Sequence, residues 1–159
     1  VGGCGFFGYY QAQVAAAVDV PVVLSSLEQI AWVRRMLKPS QKIAVFSDMK
    51  SLTAELFAVC GSSDASCIVA AHTSGLAETA RQRELGCINP HRYAEQLVAL
   101  ARTHLSQHLE IGAIVAEYTE FPTFAWAVQH AVKVPIFDCT TLPRWVHSGV
   151  MRRPFPGII

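Results

Sequence analysis

Apolar runs of strand length alternate with stretches of helical period along the whole chain, and few architectures accommodate that order. Residues 20–24 (VPVVL), 42–47 (KIAVFS), 67–71 (CIVAA), 111–117 (IGAIVAE) and 134–138 (VPIFD) read as buried strands. Helices are expected over 28–37, about 51–59, 90–108, about 121–132 and 142–150. Lys38-Pro39 stops the first of these, and Asn89 with Pro90 supplies a cap and a first-turn proline for the longest. Repeated strand–helix alternation implies an α/β fold, a parallel sheet with helices on both faces. The stretch 73–89 fits either a long substrate-contacting loop or a frayed helix.

Composition narrows the function classes. Hydrophobic residues make up 52% and charged residues 16%, with a net charge of +1. That balance suits a packed globular chain and lacks the basic stripe that nucleic acid requires. No apolar stretch reaches the roughly 20 residues of a membrane span, so neither nucleic acid nor membrane is an expected partner. The cysteines are Cys4, Cys60, Cys67, Cys87 and Cys139, an odd number without metal-ligand spacing. Reduced thiols in a cytoplasmic setting are expected, with no metal. Glycine-rich phosphate loops are absent, and no cofactor is expected.

The chain also repeats itself. Shifted by 114 positions, the segment from Cys4 lies on the segment from Tyr118 without a gap. Phe7 meets Phe121, Val14 meets Val128, Ala17-Val18 meets Ala131-Val132, and Val20-Pro21 meets Val134-Pro135. Cys4 and Tyr118 thus hold equivalent places, each before a helix. In open parallel sheets ligands bind outside the carboxyl ends of the strands, so two such places would face one cleft. A full apolar strand precedes Tyr118, whereas only Val1-Gly2-Gly3 precedes Cys4. The expectation is that strands upstream of Cys4 are missing from this chain.

At the residue level, Gly3-Cys4-Gly5-Phe6-Phe7, Gln11, Val20–Leu27 and Gln29 resemble the first half-site of the aspartate/glutamate/hydantoin racemase superfamily. Ile114–Pro122 resembles the second half-site, and Val134–Asp138 with Thr140, Thr141, Trp145 and His147 the closing segment. The resemblance implies two pseudo-symmetric flavodoxin-like lobes with a cleft between them. Residues 1–38 and 139–159 would be the remnant of one lobe, and 39–138 the other. It also implies cofactor-independent racemisation or epimerisation at the α-carbon of a small amino acid or related carboxylic acid.

In that scheme Cys4 is the thiolate base and Tyr118, where the family carries its second cysteine, is the possible acid. A thiol of pKa about 8.5 must be lowered to act so, and a phenol near 10 donates better than it accepts. Gly5, Phe6, Ser25, Ser26, Thr119 and His147 are the expected substrate contacts, the hydroxyls and amides holding the carboxylate. Strand-end hydroxyls also serve as helix caps, and His147 fits packing equally well. Glu117 and Glu120 read as structural or solvated. Cys139 is the repeat partner of Ser25, not of Cys4.

With one thiol absent, two further readings stay open. One is one-sided chemistry: a lyase, decarboxylase or cis–trans isomerase. The other is a non-catalytic metabolite-binding relative. Each is expected to work beside a companion polypeptide that supplies the missing strands, in a homo- or hetero-oligomer.

Overall fold

The computed structural model describes residues 1–48 and 52–154. Four parallel strands form one sheet: β1 (Lys42–Ser47), β2 (Ile68–His72), β3 (Ile111–Ala116) and β4 (Ile136–Phe137), in the order β2-β1-β3-β4. The helices are α1 (Gln11–Ala16), α2 (Gln29–Met36), α3 (Ala54–Val59), α4 (Ala77–Leu85), α5 (Pro90–Gln107), α6 (Ala125–Val132) and α7 (Thr141–Val150). The α/β class with a parallel sheet stands as expected. Among the described residues there is a single sheet, and two lobes are not shown.

Side chains alternate across the sheet, so each central strand feeds two cores. Ala44, Phe46, Ile114 and Ala116 pack with Tyr93, Leu97 and Ala101 of α5 and with Val128 of α6. Ile43, Val45, Ala113 and Val115 pack with Ile30 and Val33 of α2 and with Leu56 and Phe57 of α3. Both faces are thereby covered, which explains why β1 and β3 are almost wholly apolar. At about 25 cal/mol per Å² of buried apolar surface, this double burial dominates the stability of the sheet.

The first expected strand, 20–24, is not a sheet strand. Its polar backbone is met differently. Gly2 N–H donates to Val23 O at 2.7 Å. The Gln11 side chain supplies the rest: Nε2 donates to Val22 O at 2.9 Å, and Oε1 accepts from Leu24 N–H at 3.1 Å. One amide side chain thus replaces a neighbouring strand, satisfying groups that must otherwise find water.

Other boundaries shift for local reasons. The stretch 73–89, left open between loop and helix, holds α4, closed by Gly86 in the left-handed region at φ 67°. Glu78 secures the link to α5 by accepting from Asn89 N–H at 2.7 Å. Asn89 caps α5 as expected, accepting from Arg92 N–H at 3.2 Å. The helix expected from about 51 begins in the structure at Ala54, behind the Thr53 cap; Ser51 lies outside the described residues. The helix expected from 121 opens as a 3-10 turn, Phe121–Thr123, before α6. Among the described residues no helix is long and apolar enough to cross a membrane.

Candidate active site

The two copies of the repeat meet at the carboxyl end of β3. Each copy passes through a 3-10 turn into a helix: Cys4 into Gly5–Tyr10 and α1, Tyr118 into Phe121–Thr123 and α6. A Cβ on Gly3 would stand 2.6 Å from Thr119 Cγ2, and one on Gly5 2.6 Å from Glu117 Cγ. Gly3 is the repeat counterpart of Glu117, and Gly5 of Thr119. The two approaches therefore pair the same two repeat positions, once in each direction. Backbone this close leaves no room for side chains at Gly3 and Gly5.

The carboxylate of Glu117 fastens the junction. It accepts from Gly5 N–H, and from the Ser47 hydroxyl at 2.6 Å. Glu117 is 2% exposed, and burial raises its pKa above the ordinary 4.5, with Ser47 and Gly5 opposing the shift. Asp48 and Glu120 push it the same way as burial. A buried carboxylate of this kind is kept by its hydrogen bonds. It was not among the expected site residues. The available signal was an acidic residue closing the uninterrupted apolar strand IGAIVA.

The expected site residues divide into those brought to this junction and those kept from it. Cys4 is partly exposed at the head of the first turn, its carbonyl accepting from Phe7 N–H at 3.0 Å. Gly5 is buried against Glu117, while Phe6 is largely exposed. Thr119 lies at the surface beside Gly3, donating to Glu120 Oε2 at 3.2 Å. Ser26 is buried and donates to Ala116 O at 2.9 Å, which ties the 20–24 segment to β3. Ser25 is the cap of the turn before α2. It accepts from Leu27 N–H while Glu28 accepts from Ser25 N–H, both at 3.1 Å, a complete capping box. His147 sits exposed on α7, beside Ser148, Met151, Arg152 and Arg153 and away from the junction.

Tyr118 turns inward. It is 6% exposed, belongs to the core formed with α5 and α6, and meets Phe121 edge to face at 5.6 Å. Burial, reinforced by Tyr93, holds its phenol far above the usual tyrosine range. Its proton is therefore tightly held. The other thiols offer no better base. Burial pushes Cys60 up to about 11, and raises Cys67 and Cys139 as well. Cys87 is exposed in the link between α4 and α5. Among the described residues no group of three His, Cys, Asp or Glu is placed to hold a metal ion.

No family model matches the chain, and no solved structure matches it. Among curated proteins it is similar to dimethylsulfoniopropionate lyase 5 of Emiliania huxleyi (strain CCMP1516), 25% identical over 172 aligned residues. That alignment covers 99% of this chain and 32% of the relative. Dimethylsulfoniopropionate lyase 3 of the same organism is 29% identical over 169 residues, covering 99% and 43%. The dimethylsulfoniopropionate lyase of Durusdinium sp. clade D is 24% identical over 160 residues, covering 98% and 53%. The chain spans between about a third and about half of the length of these relatives. The similarity overturns the racemase identification and the isomerase reading that came with it, because the matched proteins are lyases.

Proposed function

We propose that this chain provides the catalytic half-site of a lyase acting on a small β-sulfonio carboxylic acid, with Cys4 as the base. The observation that carries the reading is the similarity to dimethylsulfoniopropionate lyases, which extends over essentially the whole chain. The Cys4 thiolate removes a proton from the carbon beside the carboxylate. That electron pair becomes the new carbon–carbon double bond as the carbon–sulfur bond breaks. The dialkyl sulfide departs with the bonding pair as a neutral molecule, and the thiol later returns its proton to solvent.

This chemistry differs from racemisation in what it asks of the far side. Inversion needs a proton delivered to the opposite face. A sulfonium carries its charge already and leaves neutral, so its departure needs no general acid. A phenol buried at the second turn is compatible with elimination. Thr119, exposed beside the Cys4 turn, is the hydroxyl we assign to the substrate carboxylate, which would take the place of Glu120 as its acceptor. Ser25 and Ser26 serve the fold first, through the cap and the Ala116 contact.

Incubating the protein with dimethylsulfoniopropionate and measuring dimethyl sulfide in the headspace tests the reading. Release that disappears in Cys4→Ala supports it. Absence of release, or release unaffected by that substitution, defeats it.

A companion polypeptide is part of the same proposal. The first turn leaves Phe6, Phe7 and Tyr10 exposed, and neither α1 nor α7 has a buried residue. Native mass spectrometry should find a second chain, identical or not, on these faces. The mass of a single chain at micromolar concentration counts against it.

A further inference from the structure

A cavity of about 310 Å³ lies between the first turns of α2 and α7, over Phe137 of β4. Its walls are aromatic. Trp32 and Trp145 stack with centroids 5.8 Å apart at 25°, and Phe137 meets Trp32 edge-on at 6.3 Å and 84°. The indoles form a continuous wall, and Phe137 turns the corner. Both tryptophans are about half exposed or more, at 49% and 61%, so they present much apolar surface that the fold itself does not cover.

The polar groups around the cavity are few and mostly spoken for. Gln29 accepts from the Thr141 hydroxyl at 2.6 Å and donates to Asp138 O at 2.9 Å. Leu142 adds apolar wall. Among the described residues Glu28 is the only ionisable side chain lining the space, and no Lys, Arg or His does. One of its oxygens is held by Ser25 N–H.

Three ring surfaces and one carboxylate create a negative, poorly hydrated concavity. An anion would be repelled there, and a metal ion or primary ammonium would lose hydration that the rings cannot replace. An alkylated onium group suits both features: its charge is attracted to ring faces and carboxylate, and its alkyl shell desolvates easily. We propose that this cavity binds a small alkylated onium cation, a sulfonium or a quaternary ammonium.

The site adjoins the first half-site. Leu142 also lines a small hollow bounded by Gly2, Ser25, Ser26 and Cys139. On the lyase reading, and only on it, the cavity becomes the place that reads the sulfonium end of the substrate.

Calorimetric titration of the protein with trimethylsulfonium and with tetramethylammonium tests binding apart from turnover. Tert-butyl alcohol serves as the uncharged ligand of similar shape. Two substitutions spare the fold. Trp145→Leu alters an exposed residue, and Glu28→Gln preserves a capping box while removing the charge. Saturable binding of at least one cation is expected, about tenfold weaker in Glu28→Gln and lost in Trp145→Leu. Preference between the two cations identifies sulfonium or ammonium as the natural partner. Equal binding of tert-butyl alcohol, no saturation by either cation, or no effect of Trp145→Leu would overturn the proposal. Binding without dimethyl sulfide release would sustain the cavity while removing the lyase reading.

Discussion

The turn after Cys4 and the turn after Tyr118 share one backbone plan, yet they are put to opposite uses. In the second copy Phe121 is fully buried and Tyr118 nearly so, and the turn closes the core against α5. In the first copy Phe7, the counterpart of Phe121, is 47% exposed, and Cys4 remains partly open. The second copy follows a complete strand at the centre of the sheet. The first is joined to β3 and its end by the Ser26 hydroxyl on Ala116 O and by the Glu117 clasp on Gly5. Repetition has supplied two equivalent positions, and packing has left one of them available for chemistry.

The largest expected effect separates the copies by chemistry. Cys4→Ala should lower dimethyl sulfide release by about 10²- to 10⁴-fold, the span of a lost general base. Headspace gas chromatography of wild type and variant measures it.

Packing gives the next contrast. Phe121→Ala should cost about 3–5 kcal/mol in urea unfolding, and Phe7→Ala at most about 0.5 kcal/mol. Equal losses would mean that Phe7 is covered in the native assembly, which would sharpen the companion-chain proposal. A smaller contrast concerns the junction between the copies. Gly5→Ala would drive a methyl into buried Glu117, at about 1–3 kcal/mol, whereas Thr119→Ala should stay within about 0.5 kcal/mol.

Glu117 makes a pH-dependent contribution whose sign follows from burial. Its carboxyl is raised in the folded protein above the ordinary 4.5. The folded state therefore holds this proton more tightly, and stability from this group is greatest below pH 4.5. It declines as pH rises through the raised native value. Urea midpoints across pH 4–8, a window of about four units, should fall less steeply in Glu117→Gln than in wild type. A parallel decline would show that Glu117 titrates normally.

The smallest effect tests whether the second turn takes part in catalysis. Tyr118→Phe removes a hydroxyl that makes no hydrogen bond of ordinary geometry among the described residues. Stability should change by less than about 0.5 kcal/mol, and turnover by less than about twofold. A large loss of turnover would restore Tyr118 as a proton donor and break the contrast between the copies.

Where sequence reading succeeded, local chemistry was decisive. Asn89 with Pro90 announces the start of α5, and the apolar runs of β1 and β3 require two covered faces. It failed where the partner of a group is remote in sequence. The polar backbone of 20–24 is answered by Gln11, so an apolar run of strand length never joins the sheet. The racemase identification rested on half-site motifs that specify a turn and a thiol, but not the reaction; the named relatives corrected it. His147 looked equally suited to cleft and packing, and the placement of α7 leaves it exposed instead.

The sequence by itself determined the α/β class, most element positions and the pairing of Cys4 with Tyr118, because propensity, capping and repetition act over short distances or plain correspondences. Burial decided the rest. Whether Glu117 is a solvated acid or a clasp on Gly5, and whether Tyr118 faces substrate or core, depends on what lies within a few ångströms from another part of the chain. The same is true of the Trp32–Trp145 cavity, whose two walls come from opposite ends of the sequence. Desolvation and close packing exist only once those ends have met.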